Sequence, residues 1–141
     1  MNAVRAFVDT NILIYAFTTD EPAKQKVALE FLDDCSPVIS TQVVKEFSNI
    51  LLKKKNLGLQ SIEEAINDIL DVADIVNEEI ALIFAAFDIH KRYHYSFYDS
   101  LIIAAGIVSK CKILLSEDMK DGQIIDGKLK IVNPFCNVSK A

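Results

Sequence analysis

Hydrophobic residues follow two alternating rhythms along the chain. Short apolar runs of strand length are separated by longer stretches whose apolar positions recur at helical spacing. Val4-Arg5-Ala6-Phe7-Val8 is the first run, and it stops at Asp9. Asn11–Phe17 then predicts a turn or two of helix. Pro22–Asp34 spaces Val27, Ala28, Phe31 and Leu32 on one helical face, with proline at the start, where its missing N–H is harmless. Pro37-Val38-Ile39 is a brief strand. Thr41 is a candidate cap for a helix carrying Val43, Val44, Phe47, Ile50 and Leu51, which ends at the run Lys53-Lys54-Lys55. Ser61 with Glu64 reads as a capping box for a helix whose apolar face is Ile62, Ala65, Ile66, Ile69 and Leu70. Ile75-Val76 predicts a third strand, and Glu78 to about Tyr93 a helix with acids first and bases last, as its dipole favours. Tyr98–Ser109 is so uniformly apolar that it predicts a central, buried helix. Lys112–Leu115 and Lys130–Val132 are further strands. Asp121-Gly122 and Asp126-Gly127 mark turns.

Strands alternating with helices predict βαβ units, hence a parallel sheet with helices on both faces. The 141 residues suit one domain over 1–141, and 51% hydrophobic content suffices for a sizeable core. No repeat and no Gly/Ser/Pro-rich linker divides the chain. The longest apolar runs, such as Ile80–Phe87, are too short to span a membrane. Cys35, Cys111 and Cys136 are an odd set without a C-x-x-C pair, which argues against a disulfide framework or cysteine zinc site and fits a reducing, cytoplasmic setting.

Charge changes the picture. Fifteen basic against twenty acidic residues give a net charge of −5. A protein that holds nucleic acid by charge alone is normally basic, so any polyanion would need a local basic patch or bound cations. In parallel sheets, chemistry collects beyond the carboxyl ends of the strands, and four acids stand at such places. Asp9 directly follows the first strand. Glu46 lies about a turn into the helix after the second. Asp99 opens the apolar helix, and Asp118 lies just past the strand ending at Leu115. Asn11, Ser116 and Asp121 are close enough in sequence to join them. Each acid has a bland reading when taken singly: Asp99 as a helix cap, Asp118 as a turn former, Glu46 as a solvated helix residue. Their coincidence at one sheet edge is harder to dismiss. Clustered carboxylates repel, and a divalent cation removes that cost. Oxygen-only ligands suit Mg²⁺ or Mn²⁺ rather than zinc.

Phe7-Val8-Asp9-Thr10-Asn11-Ile12-Leu13-Ile14-Tyr15 resembles the opening motif of PIN-domain ribonucleases. Val43-Val44-Lys45-Glu46-Phe47 resembles their second acidic motif, and Tyr98-Asp99-Ser100-Leu101-Ile102-Ile103-Ala104-Ala105 their third, with Gly106 where alanine is expected. Leu115-Ser116-Glu117-Asp118-Met119, the following Asp121-Gly122-Gln123 and Ile131-Val132-Asn133-Pro134-Phe135 resemble their close. The match runs in order from about residue 4 to residue 135. The compact size and closing segment look most like VapC-type toxins of toxin–antitoxin pairs. The resemblance implies a three-layer α/β/α sandwich with a short, mostly parallel sheet. It also implies metal-dependent endoribonuclease activity, a homodimer and a small antitoxin encoded alongside. Carried over by motif position, Asp9, Glu46, Asp99 and Asp118 would bind Mg²⁺ or Mn²⁺, with Asn11 and Ser116 as polar helpers. Asp121 is a further candidate.

His90 and His94 stand one helical turn apart, but no third His or Cys completes a zinc set, and basic groups favour a helix end anyway. The lysine run could touch RNA phosphates or be a solvated helix end. Phe84, Phe87, Tyr93, Tyr95, Phe97 and Tyr98 could stack bases or fill core and interface. No phosphate-binding glycine loop and no G-x-S-x-G occurs. The alternative is a non-catalytic, Mg²⁺-binding α/β signalling or binding module of the phosphate-receiver kind. That would need an acceptor Asp at a middle strand end, where the third strand here ends Ile75-Val76-Asn77. A metal-dependent phosphatase would carry a second Asp two residues after the first, where Asn11 stands.

Overall fold

The computed structural model describes residues 3–54 and 56–138. Its elements run β1 (Val4–Val8), α1 (Thr10–Phe17), α2 (Pro22–Asp34), β2 (Cys35–Ser40), α3 (Thr41–Leu52), α4 (Leu59–Val72), β3 (Asp74–Val76), α5 (Ile80–Tyr93), α6 (Phe97–Val108), β4 (Ile113–Leu115), β5 (Ile124–Ile125) and β6 (Leu129–Val132). The sheet order is β3-β2-β1-β4-β6-β5, parallel throughout except for the antiparallel edge pair β5–β6. This is the mixed α/β, mostly parallel architecture that the hydrophobic rhythm predicts.

Strands covered on both faces should be apolar at every position rather than at alternate ones. Ala6, Phe7 and Val8 are all fully buried. Phe7 pairs in register with Val38 and Leu114, and Leu114 with Ile131, so these four form one row across the sheet. All four are fully buried. The apolar helix α6 covers this face, packing on β1, β2, β4 and β6, while α5 lies against α6. Every residue from Ser100 to Gly106 is buried. Gly106 marks the closest approach: a Cβ there would stand 3.1 Å from Leu129 Cδ2 and 3.5 Å from Phe7 Cβ. Absence of a side chain lets the helix backbone settle onto the sheet, which accounts for glycine where alanine was expected. The crossovers β1 to β2 and β2 to β3 carry α1–α4 on the opposite face, as right-handed connections require.

Strand order then selects a place for a site. From β1 the chain proceeds outward to β2 and β3, then returns past β1 to β4. The order therefore reverses between β1 and β4. Outside the carboxyl ends of two strands at such a switch point, the loops part in opposite directions and leave a crevice.

Several local expectations are corrected. Ser40, not Thr41, caps α3: its hydroxyl accepts the Val43 N–H at 3.4 Å, while the Thr41 hydroxyl donates to Glu78 at 3.1 Å. The capping box at Ser61 and Glu64 does not form. Helical bonding begins earlier, with the Ile62 N–H on the Gly58 carbonyl, and Gly58 occupies the cap position. Helix α5 begins at Ile80 rather than Glu78. Strand β5 was not anticipated. Asp126 and Gly127 have φ of 54° and 65°, and the Lys128 N–H bonds the Ile125 carbonyl at 2.9 Å. That is the two-residue turn whose twist suits a hairpin, so the Asp-Gly pair was the available signal. Of the lysine run, Lys54 is paired with Asp20 at 2.5 Å, and Lys55 lies outside the described residues. The three cysteines are free. Among the described residues no helix is long and apolar enough to cross a membrane.

Candidate functional site

Asp9 sits where β1 ends and α1 begins, at the switch point. Its extended backbone makes it the cap of α1, and its Oδ1 accepts the Thr10 N–H at 2.8 Å. The Asp9 N–H in turn bonds the Leu115 carbonyl of β4 at 3.0 Å. Ser116, fully buried at the end of β4, donates its hydroxyl to Asp9 Oδ2 at 2.9 Å. One carboxylate oxygen is thus held by the first residue of α1 and the other by the residue that follows β4.

The other acids arrive from separate elements. Asp9, Glu46, Asp99 and Asp118 line one open pocket of ≈ 130 Å³, with Thr10, Asn11, Gln42, Ile50 and Ile102. Glu46 accepts the Thr10 hydroxyl at 2.8 Å, and Asp118 accepts the Asn11 side-chain amide at 2.7 Å. Thr10 and Asn11 therefore extend the hold of α1 to two further acids. Asp99 was open to the reading of a mere cap. The cap of α6 is instead Ser96, whose hydroxyl accepts the Asp99 N–H at 3.1 Å. The Asp99 carboxylate is left to face the pocket.

Asp121 does not join them. Its carboxylate accepts the Asn133 N–H at 2.8 Å and pins the start of the closing segment. His90 and His94 also lie away from the pocket. A ring nitrogen of His90 meets the Tyr95 carbonyl at 2.5 Å, and His94 ends α5 in a left-handed conformation, φ 65°. Tyr93 bonds Asp126, and Tyr95 bonds Gln123. Both hydroxyls thus hold the β5 region.

Sequence reasoning missed Gln42. It is buried, donates to the Tyr98 carbonyl at 3.3 Å and lines the pocket. Its signal was spacing: Gln42, Glu46 and Ile50 are four residues apart, hence one stripe of α3.

Burial pushes the Asp9 carboxyl up from an ordinary 3.8 to about 6; Asp99 and Glu46 push it further, while Ser116 and Thr10 pull it back. Asp99 is raised as well, chiefly by burial, with Ser96 pulling it back and Asp118 and Glu46 adding to the rise. Four acids in one pocket with no basic side chain among its lining residues leave it short of positive charge. Its donors are oxygen atoms alone, which fits Mg²⁺ or Mn²⁺. Among the described residues no three His, Cys, Asp or Glu side chains are gathered closely enough to hold a metal ion by themselves. An open set still fits Mg²⁺, which keeps several waters and is commonly held by one or two carboxylates together with substrate phosphate.

The model of the PIN domain family matches residues 6–120. No curated protein matches the chain in sequence. Among solved structures, the chain is similar to a toxin–antitoxin complex from Klebsiella pneumoniae, with 22% identity, a TM-score of 0.70, and coverage of 92% of this chain and 97% of that one. VapBC2 from Rickettsia felis, bound to a DNA fragment from its promoter, shares 16% identity at a TM-score of 0.67, over 92% and 100% of the two chains. VapC20 from Mycobacterium tuberculosis, described as a sarcin–ricin-loop-cleaving toxin, shares 18% at 0.65, over 80% and 91%. Identities this low speak to the fold. The family rests on the match over residues 6–120, a span that contains all four pocket acids, and on it the chain belongs to the PIN domain family.

Proposed function

We propose that this PIN domain is a Mg²⁺- or Mn²⁺-dependent endoribonuclease, acting as the toxin of a toxin–antitoxin pair. The observation that carries the reading is the convergence of four carboxylates from four separate chain segments on one pocket at the switch point. Asp9, Glu46, Asp99 and Asp118 are the acids we assign to the metal. When bound, a divalent ion would activate water and neutralise charge on the phosphodiester under attack. Asp9 is the fixed reference of the site, because Ser116 and the Thr10 N–H occupy one lone pair on each of its oxygens and leave others free. Asn11 and Thr10 limit the motion of Asp118 and Glu46, so little reorganisation remains when substrate arrives. A net charge of −5 is compatible with an RNA substrate once cations sit in this pocket. The solved toxins of the same fold support the substrate class.

The test is incubation of purified protein with structured and unstructured RNAs. Cleavage is expected with Mg²⁺ or Mn²⁺, and its disappearance in EDTA. Cleavage that continues unchanged in EDTA would overturn the metal-dependent reading.

We also propose a homodimer that binds a cognate antitoxin. Ile80, Phe84, Phe87 and Tyr98 are 70%, 66%, 50% and 63% exposed. Phe84, Phe87, Phe97 and Tyr98 touch in sequence, with ring centroids 5.9, 5.7 and 5.3 Å apart. Water-facing aromatic surface of this extent supports coverage by another chain. Light scattering at micromolar concentration should give twice the chain mass, and the protein encoded beside it should co-purify. A monomer that purifies alone counts against both partners.

A further inference from the structure

The segment between Ser116 and Asp118 carries two of the site's groups, and the residue between them is a fifth carboxylate. Glu117 faces away from the pocket acids, into a cluster that the proposed chemistry does not use. Its Oε1 accepts the Tyr15 hydroxyl at 2.7 Å, and its Oε2 accepts Lys24 Nζ at 2.5 Å. Lys24 and Glu117 are only 23% and 22% exposed. The Lys24 ammonium also lies 4.7 Å from the Tyr15 ring centroid and 5.5 Å from that of Phe135. The two rings meet edge to face at 5.1 Å. Lys24 is therefore a half-buried cation held by a carboxylate, a hydroxyl and two aromatic faces.

Three consecutive residues thus take three different anchors: Ser116 on Asp9, Glu117 on Tyr15 and Lys24, Asp118 on Asn11. Asn11 and Tyr15 are one helical turn apart on α1, so one helix grips the segment at two points. Lys24 adds a grip from α2. It also neutralises the Glu117 carboxylate.

We propose that Lys24 and Tyr15 are positioning residues: by clamping Glu117 they hold Asp118 and Ser116 in the arrangement the pocket needs. This rests on the ribonuclease reading for its kinetic consequence, but the clamp itself does not. Groups that orient metal-binding side chains commonly cost about 10- to 100-fold in activity or metal affinity when removed.

The experiment uses the full chain and the variants Lys24→Met, Lys24→Arg and Tyr15→Phe. For Lys24→Met, kcat on RNA should fall about tenfold with KM little changed, and Lys24→Arg should restore most of it. Mn²⁺ alone, titrated by calorimetry, should bind more weakly to Lys24→Met than to wild type. Amide hydrogen exchange over residues 116–119 should quicken in Lys24→Met while the β1 core stays protected. If Lys24→Met fails to fold, Tyr15→Phe, which deletes one hydroxyl, carries the same comparisons. Unchanged exchange and Mn²⁺ affinity would overturn the clamp. A rise confined to KM, with altered salt dependence, would also overturn it, because Lys24 would then be a phosphate contact. A wild type that cuts no RNA defeats the ribonuclease reading instead, and the exchange and Mn²⁺ measurements still judge the clamp.

Discussion

Asp9→Asn is expected to slow RNA cleavage severely while making the metal-free protein more stable at neutral pH. The loss follows from removing the most rigidly held of the four pocket acids. Metal-ion stabilisation of a transition state is worth several kcal/mol, so a drop of about 10²- to 10³-fold is expected. The gain in stability follows from burial. The Asp9 carboxyl is pushed up to about 6 in the fold, against 3.8 ordinarily. An acid with a raised folded-state pKa binds its proton more tightly in the native state than in the unfolded one. Its favourable contribution is therefore complete below about pH 4 and is lost as pH rises through about 6. Across that window the loss is about 3 kcal/mol, taking 1.36 kcal/mol per pKa unit.

Asparagine has no charge to desolvate, and it caps a helix about as well as aspartate. Its single oxygen can keep the Thr10 N–H, and its amide can donate to Ser116, whose hydroxyl rotates to accept. Urea denaturation of both proteins in EDTA, from pH 4 to pH 8, isolates the term as a difference. The variant should draw level near pH 4 and lead by up to about 3 kcal/mol at pH 8. A difference that stays constant with pH would show that Asp9 does not titrate in this window. Added Mn²⁺ should stabilise wild type more than the variant, because only the native wild-type site is intact.

Phe7→Ala carries the largest expected cost to the fold. Phe7 is fully buried at the centre of the sheet, in register with Val38 and Leu114. On its other side the α6 backbone at Gly106 comes within the reach of a single Cβ. A helix seated this closely on a sheet has little freedom to collapse into a cavity, so both the lost transfer energy and the cavity term apply. Truncation should cost about 3–5 kcal/mol, a large share of the 5–15 kcal/mol typical of a whole domain. The melting temperature should fall by roughly 10–20 °C. A fall of only a few degrees would mean that α6 can settle into the space. Because Phe7 lies on β1 two residues before Asp9, which directly follows that strand, residual activity at low temperature also reports whether β1 still presents Asp9 correctly.

Much of the frame was legible in the chain itself, wherever the governing interactions are local. Periodicity marked β1 and α2 to the residue, because strand and helix spacing are backbone geometry read through side chains. The seven-residue buried run in α6 announced a central helix. The four acids were legible because strand ends in a parallel sheet share an edge, whatever the order of the strands. The remainder depended on that order. Only the placement of β4 beside β1 brings Ser116 onto Asp9 and Asp118 onto Asn11, across 107 positions in each case. Ser96 as the cap of α6 was itself a local signal, three residues before Asp99. Only packing shows that Asp121 is occupied by Asn133 and that Gly106 is a point of close approach. The ion pair of Lys24 and Glu117 spans 93 positions and has no local mark at all. Local order follows from the chain's own stereochemistry. The partner of a buried polar group is chosen by whichever group the fold places within hydrogen-bond reach, and that is a property of strand order and helix docking.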